Sequence, residues 1–216
     1  MKAYQFLIKL EGVEQEVWRR IVIPAETNFK RLHETIQMAM GWSNYHLYTF
    51  NIPLANGRVL ELAEDQDMMD DHRSQIHSVI MNVDLKELNT NPNYQQLVRT
   101  DIKLAQKTKL PRYVESVPTF TYRYDFGDNW IHHIELEKTI EDYEFIYPQI
   151  LDGEGNCPPE DVGGPIGYAN FLEVMEDPQN EEHEHLKNWA ASQGYSAFDP
   201  TFTNQLMQSI LKLKKR

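Results

Sequence analysis

Two stretches of the chain hold residues that could do chemistry. In YRYDFGDNWIHHIELE, Tyr122 to Glu137, Asp125 and Asp128 flank Gly127, and His132 follows four residues after the second acid. In GNCPPEDVGG, Gly155 to Gly164, Cys157 stands just ahead of two prolines and the paired acids Glu160 and Asp161. Carboxylate, imidazole and thiolate are the side chains that hold divalent metals. A metal bound by few protein ligands can lower the pKa of a water to make a nucleophile. No CxxC or HExxH spacing occurs, which excludes a sequence-local zinc site. A divalent metal would need a composite site assembled across the fold from Asp125, Asp128, His132, Cys157, Glu160 and Asp161.

Each of these residues also has a plainer reading. Gly127 can supply a positive φ in a hairpin turn whose amides Asp125 and Asp128 bond. A hairpin needs only one such acid, so the second is a surplus. His132 can be a buried histidine bonded to a carbonyl or carboxylate, or a metal ligand or general base. Cys157 can be a small hydrophobe that pins its loop, or a thiolate. Prolines stiffen that loop, and Gly163 and Gly164 permit close backbone approach. For His33 and His46 the plainer reading is packing at the helix-to-strand corner.

Three familiar patterns fail. DFG at Asp125 to Gly127 lacks the Gly-rich loop, strand lysine and catalytic loop of a kinase. DGEGN starts like a calcium loop, but Cys157 replaces the turn glycine and Gly163 the bidentate glutamate. His183 and His185 lie two apart on a helix and do not face each other.

Hairpins and helices have to position these groups. Tyr4, Phe6, Ile8 and Leu10 alternate as a strand, and VWRRIVIP returns as its partner, ended by Pro24. Phe29, Leu32, Ile36, Ala39 and Met40 form a helical stripe, with Gly41 placed for a left-handed cap. HLYTFNI reads as a strand with His46, Tyr48, Phe50 and Ile52 on one face. From about residue 56 to 99 the pattern weakens into an insertion, with a short strand expected at SVIMNVDL. Phe120, Tyr122 and Tyr124 share one strand face, and Trp130, His132, Ile134 and Leu136 share one on the returning strand; His133 points the other way, to solvent. DGEGNCPPEDVGG reads as a loop, and three helices follow. The last begins at the N-cap Asp199 with Pro200 behind it, and Phe202, Leu206, Ile210 and Leu213 are its expected buried face. Strands first and helices last indicate α+β, an antiparallel sheet built from hairpins with a helical C-terminal third. One domain over 1–216 is expected.

Composition limits the partners. The 216 residues carry a net charge of −12, which argues against duplex nucleic acid, where clustered Lys and Arg are needed. Arg19, Arg20, Arg112 and Arg123 are too few to serve single strands among the aromatics. The basic tail, Lys212, Lys214, Lys215 and Arg216, suits a solvated helix terminus. The one cysteine rules out an internal disulfide and fits a reducing compartment. With no signal-peptide pattern and no apolar run near the roughly 18 residues of a membrane span, the expectation is a cytoplasmic protein with no membrane partner.

WRRIVIP, LHETIQMAMGW with HLYTF, YDFGDNWIHHIELE, CPPEDVGGPIGY and FDPTF occur in the order seen in the plasmid pRiA4b ORF-3-like family, whose members are often labelled insertion-element passenger proteins. The chain resembles that family over nearly its whole length, least between Asn56 and Arg99. The resemblance implies one α+β domain and assigns no reaction. It favours His132, because the family pattern puts a histidine two residues after the tryptophan, and both His33 and His46 match the pattern too. A resolvase-like activity finds no support, for neither a basic helix-turn-helix nor a recombinase nucleophile is visible.

Three functional readings follow. The leading one is a non-enzymatic binding or interaction module, with the acidic mid-chain segment or the CPPED loop contacting a protein partner. The alternative is a metal-dependent hydrolase using the DFGD turn, His132 and the CPPED loop. The third is a nucleic-acid-associated factor of mobile elements, which the charge weakens. Proximity of His132, Cys157 and Asp125 separates the first two.

Overall fold

The computed structural model of the chain describes residues 1–213. Strands β1 (Ala3–Leu10) and β2 (Trp18–Pro24) form the first hairpin, followed by helix α1 (Phe29–Met40). Asn28 caps α1 by accepting the Arg31 N–H, and Gly41 ends it in the left-handed conformation, φ 86°. Strands β3 (Tyr48–Pro53) and β4 (Val59–Ala63) come next, then helices α2 (Gln66–Asn82), α3 (Leu85–Thr90) and α4 (Pro92–Arg99). The sheet is completed by β5 (Thr100–Leu104), β6 (Thr119–Tyr124), β7 (Trp130–Ile140) and β8 (Gln149–Glu154). Helices α5 (Gly164–Glu176), α6 (His183–Ser192) and α7 (Pro200–Ile210) close the chain.

The eight strands form one sheet in the order β5-β4-β3-β6-β7-β1-β2-β8. The fold is α+β. One pair departs from the expected antiparallel pattern: β4 and β5 are parallel, because the three helices between them carry the chain back to the same end of the sheet. On one face Tyr4, Phe6, Ile8, Phe50, Phe120 and Tyr122 pack against Phe29, Leu32, Ile36 and Ala39 of α1. The opposite face is polar where it meets water; there Arg20 makes two bonds to Glu137, at 2.7 and 2.8 Å.

Four local expectations need correction. SVIMNVDL is not a strand: Ser78 to Asn82 finish α2, Val83 and Asp84 link, and Leu85 opens α3. The β-branched residues there lose to a longer pattern, since Met68, His72, Ile76, Val79 and Val83 recur every three or four residues behind the N-cap Asp65. Asp152, Gly153 and Glu154 continue β8 beside β2 instead of opening a loop. In α7 the residues fully buried are Met207 and, just beyond the helix, Leu211; Phe202 and Ile210 are 57% and 59% exposed, and Leu206 is exposed too. The stripe at 203, 207 and 211 meets the body of the protein, and the apolar stripe one residue earlier lies about 100° round the helix. Gly127 does not take a positive φ; Asp125 and Asn129 do, at 53° and 59°. Of the basic tail, Lys212 follows the end of α7, and residues 214–216 lie outside the described residues. No helix among the described residues is long and apolar enough to cross a membrane.

Candidate metal centre at a junction of three loops

Three connections meet at one end of the sheet: the α1–β3 loop, the β6–β7 turn and the loop after β8. The first is tied down almost residue by residue. Trp42 Nε1 donates to the Pro158 carbonyl at 2.9 Å, and the Ser43 N–H to the Glu160 carboxylate at 2.8 Å. Asn44 takes a left-handed φ of 59°, and its N–H reaches Gln37 Oε1. The Tyr45 N–H bonds the Tyr124 hydroxyl, and the Leu47 carbonyl accepts from the Asp125 N–H. His46 is thereby held ahead of β3, not on the strand face the alternation suggested.

The β6–β7 turn uses its two acids differently. Asp125 Oδ1 accepts the Gly127 and Asp128 N–H groups at 2.8 and 3.3 Å, an Asx-type turn. Its Oδ2 faces His46 Nε2 at 3.6 Å. Asp128 bonds outside the turn, accepting the Gly163 N–H at 3.1 Å and so joining the turn to the CPPED loop.

That loop brings Glu160 and Asp161. Asp161, like Asp125, is a left-handed non-glycine residue, φ 58°. Its Oδ1 stands 3.1 Å from His46 Nε2, and Glu160 Oε2 stands at 3.7 Å. His46 Nε2 is shielded from solvent, surrounded by these oxygens, and in a well-formed hydrogen bond with none of them. One ligand atom each from His46, Asp125 and Asp161 lies within 4.8 Å of the others. Ligands about 2.1 Å from a common metal, at tetrahedral or octahedral angles, are about 3.0–3.4 Å apart. The His46–Asp161 and His46–Asp125 separations, 3.1 and 3.6 Å, are close to that spacing. Glu160 is buried, accepts the Tyr124 hydroxyl at 3.1 Å, and is held above the ordinary carboxylate range by desolvation.

Of the sequence candidates, Asp125, Glu160 and Asp161 converge, and Asp128 supports them through the backbone. His132 and Cys157 are not members of this ligand group. His132 is fully buried between Tyr122 and Trp42, and neither ring nitrogen has a hydrogen-bond partner among the described residues. Burial pushes its pKa down to about 3. Cys157 is buried with the core, and desolvation raises its thiol pKa well above the usual value. The histidine that converges on the acids is His46, for which the plainer sequence reading is packing. The available signal was its place in an irregular SNYH segment right after a capped helix.

Arg19, counted above among the few arginines, is not at the surface. It is 1% exposed and bonds the carbonyls of Ala39, Trp18, Glu154 and Gly155. It therefore fastens the end of α1 to β8 and to the start of the CPPED loop.

The chain is 32% identical over 196 residues to the uncharacterized protein y4hQ of Sinorhizobium fredii (strain NBRC 101917 / NGR234), covering 91% of this chain and 84% of that one. It is similar to a solved structure of a protein of unknown function, MM3350 from Methanosarcina mazei Go1, with a TM-score of 0.68 and 27% identity over 92% of this chain and 93% of that one. A family model described as plasmid pRiA4b ORF-3-like protein matches residues 2–206, and the chain belongs to that family.

Proposed function

We propose that the chain binds a divalent transition-metal cation through His46, Asp125 and Asp161, and that the bound cation serves hydrolytic chemistry. The observation that carries this reading is the convergence of one imidazole nitrogen and two carboxylate oxygens within 4.8 Å, from three separate loops. A mixed N/O set with one imidazole suits manganese, zinc or iron better than calcium. Three protein ligands leave coordination positions for water and substrate, which is what distinguishes a catalytic site from a closed structural one. Glu160, whose Oε2 stands 3.7 Å from the same His46 Nε2 and which Ser43 and Tyr124 grip, is near enough to exchange a proton with metal-bound water.

The test is the metal content of untagged protein after incubation with zinc or manganese and removal of free metal. Near one equivalent in the parent, lost in His46→Ala and in Asp161→Ala, is expected. A parent that holds neither metal, or a His46→Ala variant that holds as much as the parent, overturns the reading.

The interaction-module reading rests on a different observation. Ile80, Met81 and Leu85 are all exposed where α2 gives way to α3. If a partner covers them, replacing all three by Ser abolishes its cross-linking to the chain in the native host and leaves metal content unchanged. Unchanged cross-linking would sink that reading.

A further inference from the structure

Beside the metal centre, and sharing Trp42 and Glu160 with it, lies a cleft of about 290 Å³. Its walls are the end of α1, the Cys157–Glu160 loop, the α6–α7 connection and α7. We propose that this cleft binds a small organic cation with an aromatic or alkyl body, an amine of arylethyl size.

The lining selects this class. Trp42, Tyr195, Phe198 and Phe202 contribute aromatic surface, and Leu206 adds to it. This explains why α7 turns Phe202 and Leu206 away from the core: their apolar surface faces the cleft. A volume at the small end of ligand pockets, with walls that mix aromatic and polar side chains, suits a compact ligand. Aromatic faces attract cations through the ring quadrupole.

The polar groups decide the sign of the charge. Arg19 is the only Lys or Arg lining the cleft among the described residues. Four of its five N–H groups bond carbonyls and the Phe198 ring covers its face, 3.7 Å from the guanidinium carbon, so one Nη2 N–H is all it has left for a ligand. Asp199 is different. It lines the cleft from an exposed position; its Oδ1 accepts the Thr201 and Phe202 N–H groups, while Oδ2 has no protein partner among the described residues and is open to a ligand. Glu160 also borders the cleft, but Ser43 and Tyr124 hold its carboxylate, so Asp199 is the acid that can meet a ligand's charge. The chain's net charge of −12 adds a long-range bias toward cations.

A matched ligand series tests the proposal: phenethylamine, 2-phenylethanol and 3-phenylpropionate, which share one arylethyl body and differ in charge. Each is titrated into the full chain by calorimetry, at low salt with a chelator present so that metal at His46 plays no part. Asp199→Asn is the informative variant, since Asn caps a helix as well as Asp and only the charge is removed. The amine is expected to bind at least tenfold tighter than the alcohol, with no detectable binding of the carboxylate. Asp199→Asn weakens the amine about three- to tenfold and spares the alcohol, and Phe202→Ala weakens both. Equal affinity for the three ligands, absence of amine binding, or amine binding unchanged in Asp199→Asn overturns the proposal.

Discussion

Asp128 and Gly163 are joined by a 3.1 Å carboxylate–amide hydrogen bond that ties the β6–β7 turn to the CPPED loop, and the next glycine shows how close the two segments come. A Cβ on Gly164, whose φ is 70°, would lie 2.6 Å from the Asp128 carbonyl oxygen. Gly164→Ala therefore combines a left-handed alanine with a backbone clash. It should cost about 2–4 kcal/mol in chemical denaturation and impair metal binding, because Asp161 would be displaced. Asp128→Ala removes only the tether and should cost about 1–2 kcal/mol. Gly127→Ala is the control. Its φ is not positive, and its Cβ would meet only the Asp125 Oδ1 side-chain atom, at 3.2 Å, so a cost near 1 kcal/mol is expected.

Cys157 should behave as a buried neutral thiol. Desolvation raises its pKa, so the nucleophilic thiolate is scarce at neutral pH. A thiol-disulfide reagent should leave the folded chain almost unmodified over a time in which the denatured chain reacts fully. Cys157→Ala should bind metal as the parent does. Rapid labelling of the folded state, or metal lost with the thiol, would return Cys157 to the list of ligands.

The hairpins, α1 and its glycine cap were legible because each is set by local alternation or helical spacing over several residues. The surplus of acids in the DFGD turn was legible too, since Asp125 alone supplies the turn. What local pattern could not show was which distant segment each side chain meets. His46 and Asp161 are 115 residues apart and come within 3.1 Å only because β3 lies beside β6 and the CPPED loop is tethered to the β6–β7 turn. His132 misled because its strand face was read correctly, but burial on that face leads away from the acids. The α7 stripe misled because apolar residues were equated with the core, whereas two of them line a cleft.

The free edge of β8 makes a separate expectation. Asn204 of α7 accepts the Ile150 N–H at 2.7 Å and donates to the Ile150 carbonyl at 2.9 Å, standing in for a neighbouring strand. Exposed edges invite pairing with other chains. Asn204→Ala should lose about 1–2 kcal/mol. It should also show concentration-dependent association by sedimentation velocity that the parent lacks. A variant that stays monomeric wherever the parent does would mean that the bulk of α7, not its amide, protects the edge.

The final expectation concerns acid. His33 stacks on Tyr48 at 3.6 Å and sits in a ring of hydrogen bonds. Gln37 donates to the Tyr122 hydroxyl, that hydroxyl meets His33 Nδ1 at 2.8 Å, and His33 Nε2 meets Asn44 Oδ1 at 2.7 Å. The Asn44 N–H closes the ring on Gln37. A neutral imidazole donating from Nε2 satisfies every member; a protonated one cannot accept from Tyr122. Burial lowers the pKa of both His33 and His132 to about 3, against 6.5 unperturbed. Between those values the unfolded chain binds more protons than the folded one, so stability is present above pH 6.5 and is lost as pH falls toward 3. Two such groups give a slope of up to about 2.7 kcal/mol per pH unit. Glu61, Glu64 and Glu160, whose pKa values burial raises, oppose it where they take up protons first in the folded state. His132→Leu removes one imidazole whose only polar neighbours, the Tyr122 and Trp130 backbones, it meets without well-formed hydrogen-bond geometry. Urea denaturation at pH 7, 6 and 5 should therefore show a clearly shallower loss of stability in His132→Leu than in the parent, with stability at pH 7 equal or higher. The same slope in both proteins would mean that His132 finds a proton-binding partner on folding, and its burial would then have to be explained by that partner.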